Sequence, residues 1–346
     1  MLLKGRIAIE TLPEPEPQAG QVLAAPLACG VCGSDLHARD HAPHLCDLLH
    51  RAGFKGFMDP DLPVVMGHEY CAELLEPSGD LPRGQRVVCQ PFLVDDRGLV
   101  LVGYSNRYHG AFAERMVLPQ DTLLAVPDHV PTDIAALTEP LAVAVHAVNQ
   151  AGVDGDCAFA IYGCGPVGLF VIARLRALGL GPILAIDPVP ARRAMAETMG
   201  ADAAIAPDTE ASAAWWRTQN LHTGLSDTMA AVGVSKRAVI FECVGKPGML
   251  TAVAEAAPVA STIVVAGVCM ESDAIEPALL IQKSLQLRFV FAYSAQEFRA
   301  AFDMLVADPA RLAPMVTGSV PIAGIDAAFA ALTASGDQIK MMVKPS

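Results

Sequence analysis

Residues 157–180 read CAFAIYGCGPVGLFVIARLRALGL, and this segment is the most informative part of the sequence for the fold. Its first six residues form an apolar run of strand length, and the apolar side chains of Val167, Val171, Leu175 and Leu178 then recur at helical spacing. A strand that passes through a Gly-x-Gly-x-x-Gly loop into a helix is typical of the phosphate-binding unit of a doubly wound parallel sheet. An ordinary glycine-rich turn between a strand and a helix is the alternative interpretation.

The residues of this loop have separate predicted roles. Gly163 permits the tight turn, Gly165 lets the backbone approach a pyrophosphate, and Gly168 lets the helix pack closely against the strand. Pro166 and Val167 begin the helix, where the missing N–H of proline costs nothing. We predict that all five residues contribute to binding a dinucleotide.

The acidic residue Asp187 supports this interpretation. It follows the apolar strand-like run 183–186 and stands 24 positions after Gly163 (187 − 163). A carboxylate at this place binds both ribose hydroxyls of NAD and repels the 2′-phosphate of NADP, whereas the alternative is a solvated carboxylate at a strand end. Arg192 and Arg193 follow and can weaken the discrimination. The sequence therefore favours NAD over NADP.

The domain organisation follows from a change of pattern along the chain. Strands and helices alternate from about residue 150 onward, whereas residues 1 to about 130 read as short strands broken by turns. We expect a mixed α/β chain in which a nucleotide-binding domain over 149–293 interrupts a β-rich domain made of 1–148 and 294–346. A chain of 346 residues is long enough to divide in this way.

Composition excludes several classes of protein. Hydrophobic residues make up 53% and charged residues 18% of the chain, which excludes intrinsic disorder. The net charge of −13 argues against nucleic acid or an anionic membrane as the main partner. No apolar run reaches the roughly 18 residues of a membrane span, and the first residues lack a signal peptide. The odd count of nine cysteines then favours reduced thiols and a cytoplasmic location.

A second group of motifs offers metal ligands. Residues 29–37 read CGVCGSDLH and residues 67–69 read GHE. Cys32 and His68 are ligand types that zinc prefers, and a distal carboxylate or cysteine would complete the three protein ligands of a catalytic zinc site. Alternatively, the Cys-x-x-Cys pair is a redox pair or half of a structural site, and His68 is a structural histidine. No second Cys-x-x-Cys and no thioredoxin-like βαβ pattern accompany the pair.

Taken together, these motifs identify a resemblance over nearly the whole chain. It resembles the zinc-dependent medium-chain alcohol dehydrogenases, and it is most similar to the sorbitol, threonine and butanediol dehydrogenases among them. The motifs that carry the resemblance are CGVCGSDLH at 29–37, GHE at 67–69, HGAFAE at 109–114, EPL at 139–141, the glycine loop with Asp187, and FECVG at 241–245. The resemblance implies a GroES-like β-barrel catalytic domain with an inserted Rossmann domain.

The resemblance also implies a ligand set. Cys32 and His68 match the zinc ligands, and Glu139 stands where relatives carry a third ligand. Glu69 is a nearby carboxylate that can swing onto the metal, and which of the two carboxylates binds remains open. Asp35 would accept the second N–H of His68 and so fix its tautomer.

The implied reaction is hydride transfer between an alcohol carbon and NAD, with zinc as a Lewis acid. The proton would leave through Ser34 and a ribose hydroxyl to His37 near solvent, and Lys340 stands where relatives place a basic residue near the pyrophosphate. A secondary, aromatic or polyol alcohol is the expected substrate. Two rival functions remain, namely a metal-free quinone or enone reductase and a non-catalytic NAD-binding protein.

The sequence departs from the family pattern at two places, and a third segment predicts how the chain assembles. Residues 90–110 contain no cysteine, so we expect one zinc per chain and no structural four-cysteine site. The interval from Cys32 to His68 spans 36 positions (68 − 32), and its extra segment 41–58 forms either a helix over the substrate cleft or a surface excursion with a small core of its own. The apolar run 285–291 reads as an edge strand, which predicts a homodimer or homotetramer.

Overall fold

The computed structural model describes residues 1–230, 236–334 and 336–345, and the chain divides into two compact units. Unit 1 comprises Met1–Glu139 and Ala301–Ser346, and unit 2 comprises Pro140–Ala300. Unit 2 is thus inserted into unit 1. The predicted boundaries after residues 148 and 293 both fall inside unit 2, the first of them within the helix that begins at Thr138.

Short strands dominate the first part of the chain, and longer helices separate the strands of the middle part. The strands are β1 (Leu2–Leu3), β2 (Arg6–Ile7), β3 (Gln21–Gly30), β4 (Glu69–Leu74), β5 (Arg86–Val88), β6 (Phe92–Asp95), β7 (Gly98–Leu101), β8 (Met116–Pro119), β9 (Leu124–Ala125), β10 (Cys157–Tyr162), β11 (Ile183–Ile186), β12 (Ala203–Ile205), β13 (Arg237–Glu242), β14 (Thr262–Val265), β15 (Gln286–Phe289), β16 (Val316–Pro321) and β17 (Lys340–Lys344).

The helices vary from single turns to five turns in length. They are α1 (Gly33–Arg51), α2 (Thr132–Ala135), α3 (Thr138–Gln150), α4 (Pro166–Ala177), α5 (Pro190–Met199), α6 (Thr209–Thr218), α7 (Leu225–Ala230), α8 (Met249–Ala256), α9 (Pro277–Gln282), α10 (Ala295–Ala307), α11 (Pro309–Leu312) and α12 (Ile325–Thr333), with 3-10 turns at Gln120–Thr122, Ala313–Met315 and Ile322–Gly324. Within the described ranges, no helix has the length and hydropathy that crossing a bilayer requires.

Unit 2 is built on a parallel sheet in the order β12-β11-β10-β13-β14-β15. Numbered within the unit, this is the strand order 3-2-1-4-5-6 of a dinucleotide-binding fold. All six residues of the central strand β10 are buried, which explains its continuous apolar run. The strand order reverses between β10 and β13, so the loop after β10 lies where such folds bind their ligands.

Unit 1 is built mainly on a mixed sheet in the order β16-β17-β3-β4-β5-β9, with β8 also pairing with β3. All of its pairs are antiparallel except the parallel pair β16–β17. Gly30 at the end of β3 pairs with Glu69 on one side and with Met342 of β17 on the other. The segment after unit 2 therefore returns to complete the sheet of unit 1. Together the two units confirm the predicted α/β fold class, a β-rich domain interrupted by a doubly wound one.

Residues 29–37 span the end of β3 and the start of helix α1. The helix begins at Gly33, directly after the extended residue Cys32 at its N-cap. The backbone N–H of Cys32 donates to Asp35 Oδ2 at 2.9 Å, and a carboxylate in the first helical turn is also favoured by the helix dipole. The helix kinks at His41 (φ −133°), two residues before Pro43.

The segment 41–58 is helical only as far as Arg51, where α1 ends. Its apolar side chains Cys46, Phe57 and Met58 belong to the main core of unit 1, so the segment does not form a separate small core. The amide nitrogen of Asn106 shares its two hydrogens among three backbone carbonyls of residues 59–63 and so fixes the chain just after this segment. A position over the substrate cleft stays a prediction.

Candidate active site

Three ligand-bearing side chains converge at the ends of β3 and β4. Cys32 stands at the N-cap of α1, His68 precedes β4 and Glu69 is the first residue of β4. Their ligand atoms all lie within 4.8 Å of one another, and within the described part of the chain they form the one such group of His, Cys, Asp and Glu side chains. Thiolate, imidazole and carboxylate are the donors that zinc uses in proteins. The residues present therefore fit a zinc ion.

Asp35 supports this group from behind. The fully buried carboxylate places Oδ1 3.5 Å from Nδ1 of His68, which has no hydrogen bond of regular length among the described residues. A carboxylate at the outer nitrogen is the usual partner of a metal-bound histidine, because it orients the ring and fixes the tautomer. Burial by itself lowers the pKa of His68, but Asp35 and Cys32 outweigh burial and raise this pKa well above its ordinary value.

Glu69 forms a buried ion pair with Lys340. The ammonium lies 2.6 and 2.8 Å from the two carboxylate oxygens and donates to the carbonyl of Val31 at 3.2 Å, which uses all three of its hydrogens. A Cβ at Gly30 would clash with the Glu69 carboxylate, so the close approach of the pair requires glycine there. Burial lowers the pKa of Lys340, but Glu69, Cys32 and Glu139 together raise it more, and the net shift is upward.

This ion pair differs from the predicted role of Lys340. Its contacts are with Glu69 and Val31, so a contact with the cofactor pyrophosphate stays a prediction that requires the ion pair to open. Glu139 lies in the first turn of α3 and is not among the three side chains grouped within 4.8 Å. Its negative charge nevertheless contributes to raising the pKa of Lys340. Of the two carboxylates left open by the sequence, Glu69 is the one grouped with Cys32 and His68, and which of them binds the metal stays a prediction.

The predicted proton path lies on α1. Ser34 is in its first turn, and its Oγ accepts a hydrogen bond from the hydroxyl of Tyr104 at 2.8 Å. His37 follows three residues later, and residues at this spacing share one face of a helix. Burial and the neighbouring His41 lower the pKa of His37. Sequence reasoning gave Tyr104 no part in the proton path, because it stands 70 residues from Ser34 and outside every motif.

The glycine loop of unit 2 has the geometry that its predicted roles require. Gly163 adopts a positive φ of 91°, and a Cβ at Gly168 would clash with the carbonyl of Gly163. By contrast, no atom lies within 4 Å of the position that a Cβ of Gly165 would take. Gly165, Pro166 and Val167 are all partly exposed at the start of α4. The accessible edge of the loop is therefore backbone and small side chains, as pyrophosphate binding needs.

Asp187 holds this loop in place. Its Oδ2 accepts the backbone N–H of Cys164 and its Oδ1 accepts that of Val189, both at 2.8 Å. The remaining lone pairs of the carboxylate are available to hydroxyl donors. Arg193 donates to two backbone carbonyls after β11, whereas Arg192 beside it is half-buried. The structure thus places Asp187 at the end of β11, beside the predicted dinucleotide loop.

Comparison with known proteins agrees with both halves of this description. The family model of the alcohol dehydrogenase GroES-like domain matches residues 18–128, and the model of the zinc-binding dehydrogenases matches residues 166–307. The chain is 27% identical to (R,R)-butanediol dehydrogenase of Bacillus subtilis over 98% of this chain and 97% of that protein. It is 31% identical to sorbitol dehydrogenase of the same bacterium over 56% of each chain.

Solved structures extend the comparison. The crystal structure of 2R,3R-butanediol dehydrogenase from Bacillus subtilis superposes with a TM-score of 0.82 at 26% identity, covering 100% of this chain and 98% of that chain. The fold also matches a zinc-binding dehydrogenase from Sinorhizobium meliloti 1021 bound to NADP, with a TM-score of 0.77 at 24% identity and coverage of 99% and 97%. The chain therefore belongs to the zinc-dependent medium-chain alcohol dehydrogenase family. It is similar to the butanediol and sorbitol dehydrogenases within it and is an oxidoreductase of the alcohol dehydrogenase type, which confirms the predicted resemblance.

Proposed function

We propose that this protein is a zinc- and NAD-dependent dehydrogenase that transfers a hydride between a small secondary alcohol and nicotinamide. The observation that carries the proposal is the group Cys32, His68 and Glu69 with Asp35 behind the histidine. The substrate class rests on the relatives, which are named for butanediol and sorbitol. NAD, rather than NADP, rests on the Asp187 carboxylate.

In this proposal each side chain has a definite task. Cys32 and His68 would hold a zinc ion, which would supply a Lewis acid for the substrate oxygen. Asp35 orients the imidazole, and Ser34 accepts the proton that the alcohol loses. His37, one turn further along α1, passes that proton to solvent, a task that suits an imidazole near neutral pH. In unit 2, residues 163–168 and Asp187 bind the pyrophosphate and the ribose.

The rival functions explain fewer of these contacts. A metal-free quinone or enone reductase needs the glycine loop but gains nothing from a cysteine and a histidine backed by a buried carboxylate. A non-catalytic NAD-binding protein needs neither that group nor a serine beside it. The family relationship does not favour either rival.

Stoichiometry, assembly and location belong to the same proposal. We propose one zinc per chain, because residues 90–110 lack cysteine and include the β6–β7 hairpin. We also propose a homodimer or homotetramer, because strand β15 leaves one edge of the parallel sheet unpaired in the described chain. All nine cysteines, every one of them among the described residues, are free thiols, which supports a cytoplasmic location.

Metal analysis and a substrate panel test the proposal. Purified protein should contain one zinc per chain and oxidise 2,3-butanediol, other secondary alcohols, aromatic alcohols or sorbitol with NAD. Cys32→Ala should lose both zinc and activity, whereas Cys46→Ala, a matched loss of a thiol in the same helix, should keep both. Two firmly bound zinc ions, or full activity without metal, would contradict the proposed site. Cofactor binding with no turnover over the whole panel would contradict the enzyme.

A further inference from the structure

The geometry points to Tyr104 as a positioning residue that holds the hydroxyl of Ser34 in the orientation needed to accept the substrate proton. This inference rests on the proposed function, because it assigns a role within the same site. It concerns a residue that lies in the loop after β7 and outside the motifs of the sequence.

Tyr104 is fixed at both ends of its side chain. The residue is 3% exposed, and its ring stacks on Phe57 at a centroid distance of 5.3 Å. The ring of His68 lies 5.1 Å away on a tilted plane. At the other end, the phenol hydroxyl donates to Ser34 Oγ at 2.8 Å and lies 3.1 Å from Asp35 Oδ1. Apart from the ring stack on Phe57, each of these contacts is with the candidate active site.

The hydrogen bond restricts what Ser34 can do. A serine hydroxyl has one hydrogen to donate and two lone pairs that accept. The Tyr104 hydrogen occupies one lone pair, which leaves the other to accept from the substrate and the serine hydrogen to move onward. Without Tyr104, the hydroxyl of Ser34 could turn towards the negative Asp35. The proton path would then compete with a charge-assisted hydrogen bond, which is stronger than a neutral one.

The phenol also supports Asp35. This buried carboxylate accepts from the backbone of Cys32 and from Tyr104 while it faces His68. The one phenolic hydrogen is shared between Ser34, the nearer acceptor, and Asp35. Since the Cys32 N–H still holds Asp35 when the phenol is removed, we expect the metal ligands to keep their places and the proton path to suffer.

Tyr104→Phe tests the inference, since it removes the hydroxyl and keeps the ring contacts. We expect kcat for alcohol oxidation to fall roughly 10- to 100-fold, the usual cost of losing an outer-shell partner, with KM for the alcohol and the zinc content nearly unchanged. The visible spectrum of the cobalt-loaded Tyr104→Phe variant should match that of the cobalt-loaded parent protein. Tyr108→Phe is the matched control, because Tyr108 lies in the same loop and its hydroxyl donates to Asp95 at 3.2 Å. It should keep full kcat.

A double-mutant cycle separates a role through Ser34 from an independent one. Ser34→Ala should lower kcat by roughly 10²- to 10⁴-fold, the usual range for a lost acid–base group. Adding Tyr104→Phe to it should cost little more, because the phenol acts through the missing hydroxyl. If the two losses of kcat multiplied in the double variant, the inference would be overturned. A changed cobalt spectrum in Tyr104→Phe alone would also overturn it.

Two further outcomes keep the test decisive. Full kcat in Tyr104→Phe, measured where a deuterium isotope effect on the alcohol carbon shows that chemistry limits turnover, would overturn the role of Tyr104 and leave the proposed function intact. A parent protein with neither zinc nor alcohol oxidation would instead remove the proposed function. If Tyr104→Phe fails to fold, Phe57→Leu removes the ring stack and keeps the hydroxyl. Phe57→Leu should lower kcat in the parent protein but not in the Ser34→Ala variant. An unchanged kcat in the parent protein would overturn the inference.

Discussion

Asp35 links the candidate metal ligands to the proton path through a single carboxylate. It accepts from the backbone of Cys32 and the hydroxyl of Tyr104, and it faces Nδ1 of His68 at 3.5 Å. A fully buried charge is tolerated only where such partners replace water. Glu69 meets the same requirement through Lys340. At the residue scale, two buried carboxylates thus define the site, one behind the histidine and one beside it.

Asp187→Ser tests the proposed role of Asp187 in selecting the cofactor. The substitution removes a negative charge and the acceptor of the Cys164 and Val189 amides. We expect the ratio of kcat/KM for NAD over NADP to fall at least roughly tenfold, about 1.4 kcal/mol, as measured by steady-state kinetics with both cofactors. Asp208→Ser is the control, since Asp208 caps α6 and serine caps a helix equally well. A parent protein that prefers NADP would contradict the role of Asp187.

At the scale of elements, helix ends and strand ends carry the site. The first turn of α1 presents Cys32, Ser34 and Asp35, and the register of β3 with β4 and β17 brings Gly30 beside Glu69. In unit 2, the loop between β10 and α4 is held by the residue that follows β11. Regular elements therefore fix the functional side chains, and this rigidity is what a preorganised site requires.

The carboxylate of Glu297 joins helix α10 to helix α3, and its pKa predicts how this contact depends on pH. Glu297 accepts from the Ser294 backbone and the Asn149 amide and lies 2.9 Å from Nδ1 of His146. Burial by itself raises the pKa of Glu297, but these partners outweigh burial and lower its pKa to about 2. Because the folded pKa is depressed, the stabilisation is complete above the unfolded pKa of about 4.3 and disappears as the pH falls towards 2.

Glu297→Gln measures this stabilisation. We expect the free energy of unfolding in urea to fall by about 1–2 kcal/mol at pH 7, with the difference between the variants constant down to about pH 5 and shrinking below pH 4. Glu210→Gln is the control, since Glu210 is an exposed glutamate in the first turn of α6. A deficit that stayed equal at acid pH would show that the charge of Glu297 is not the cause.

At the scale of the whole molecule, strand β15 is the feature that predicts assembly with a second copy of the chain. It forms an edge of the parallel sheet in the described chain. Phe289 and, just beyond it, Phe291 are 69% and 77% exposed. Exposed aromatic side chains on an edge strand with unpaired backbone groups mark a surface that can pair with another chain. We therefore expect this edge to pair with its counterpart in a second copy of the chain.

Light scattering tests this assembly. The parent protein should be a dimer or tetramer at micromolar concentration, and Phe289→Lys should shift it towards smaller species, because a charged side chain on an edge strand opposes pairing. Val94→Lys provides a control, since Val94 is a strand residue of unit 1 with 74% exposure. A stable monomer of the parent protein would contradict the predicted role of β15.

Local sequence determined much of this protein. The strand predicted over 183–186 matches β11, and β10 and the glycine loop lie where the apolar run and the glycines placed them. Cys32 and His68 were also found from sequence, since each stands within a short motif. These features depend on neighbouring residues, because side-chain periodicity, turn glycines and ligand spacing are properties of a few consecutive positions.

Tertiary structure alone decided the remaining features of the site. The grouping of Glu69 with Cys32 and His68, the pairing of Lys340 with Glu69 and the contact of Tyr104 with Ser34 all join side chains from distant parts of the chain. Lys340 and Glu69 are 271 positions apart, and they meet because β17 and β4 flank β3 on opposite sides. No local pattern encodes such a meeting, because it depends on which strands pair and in which register.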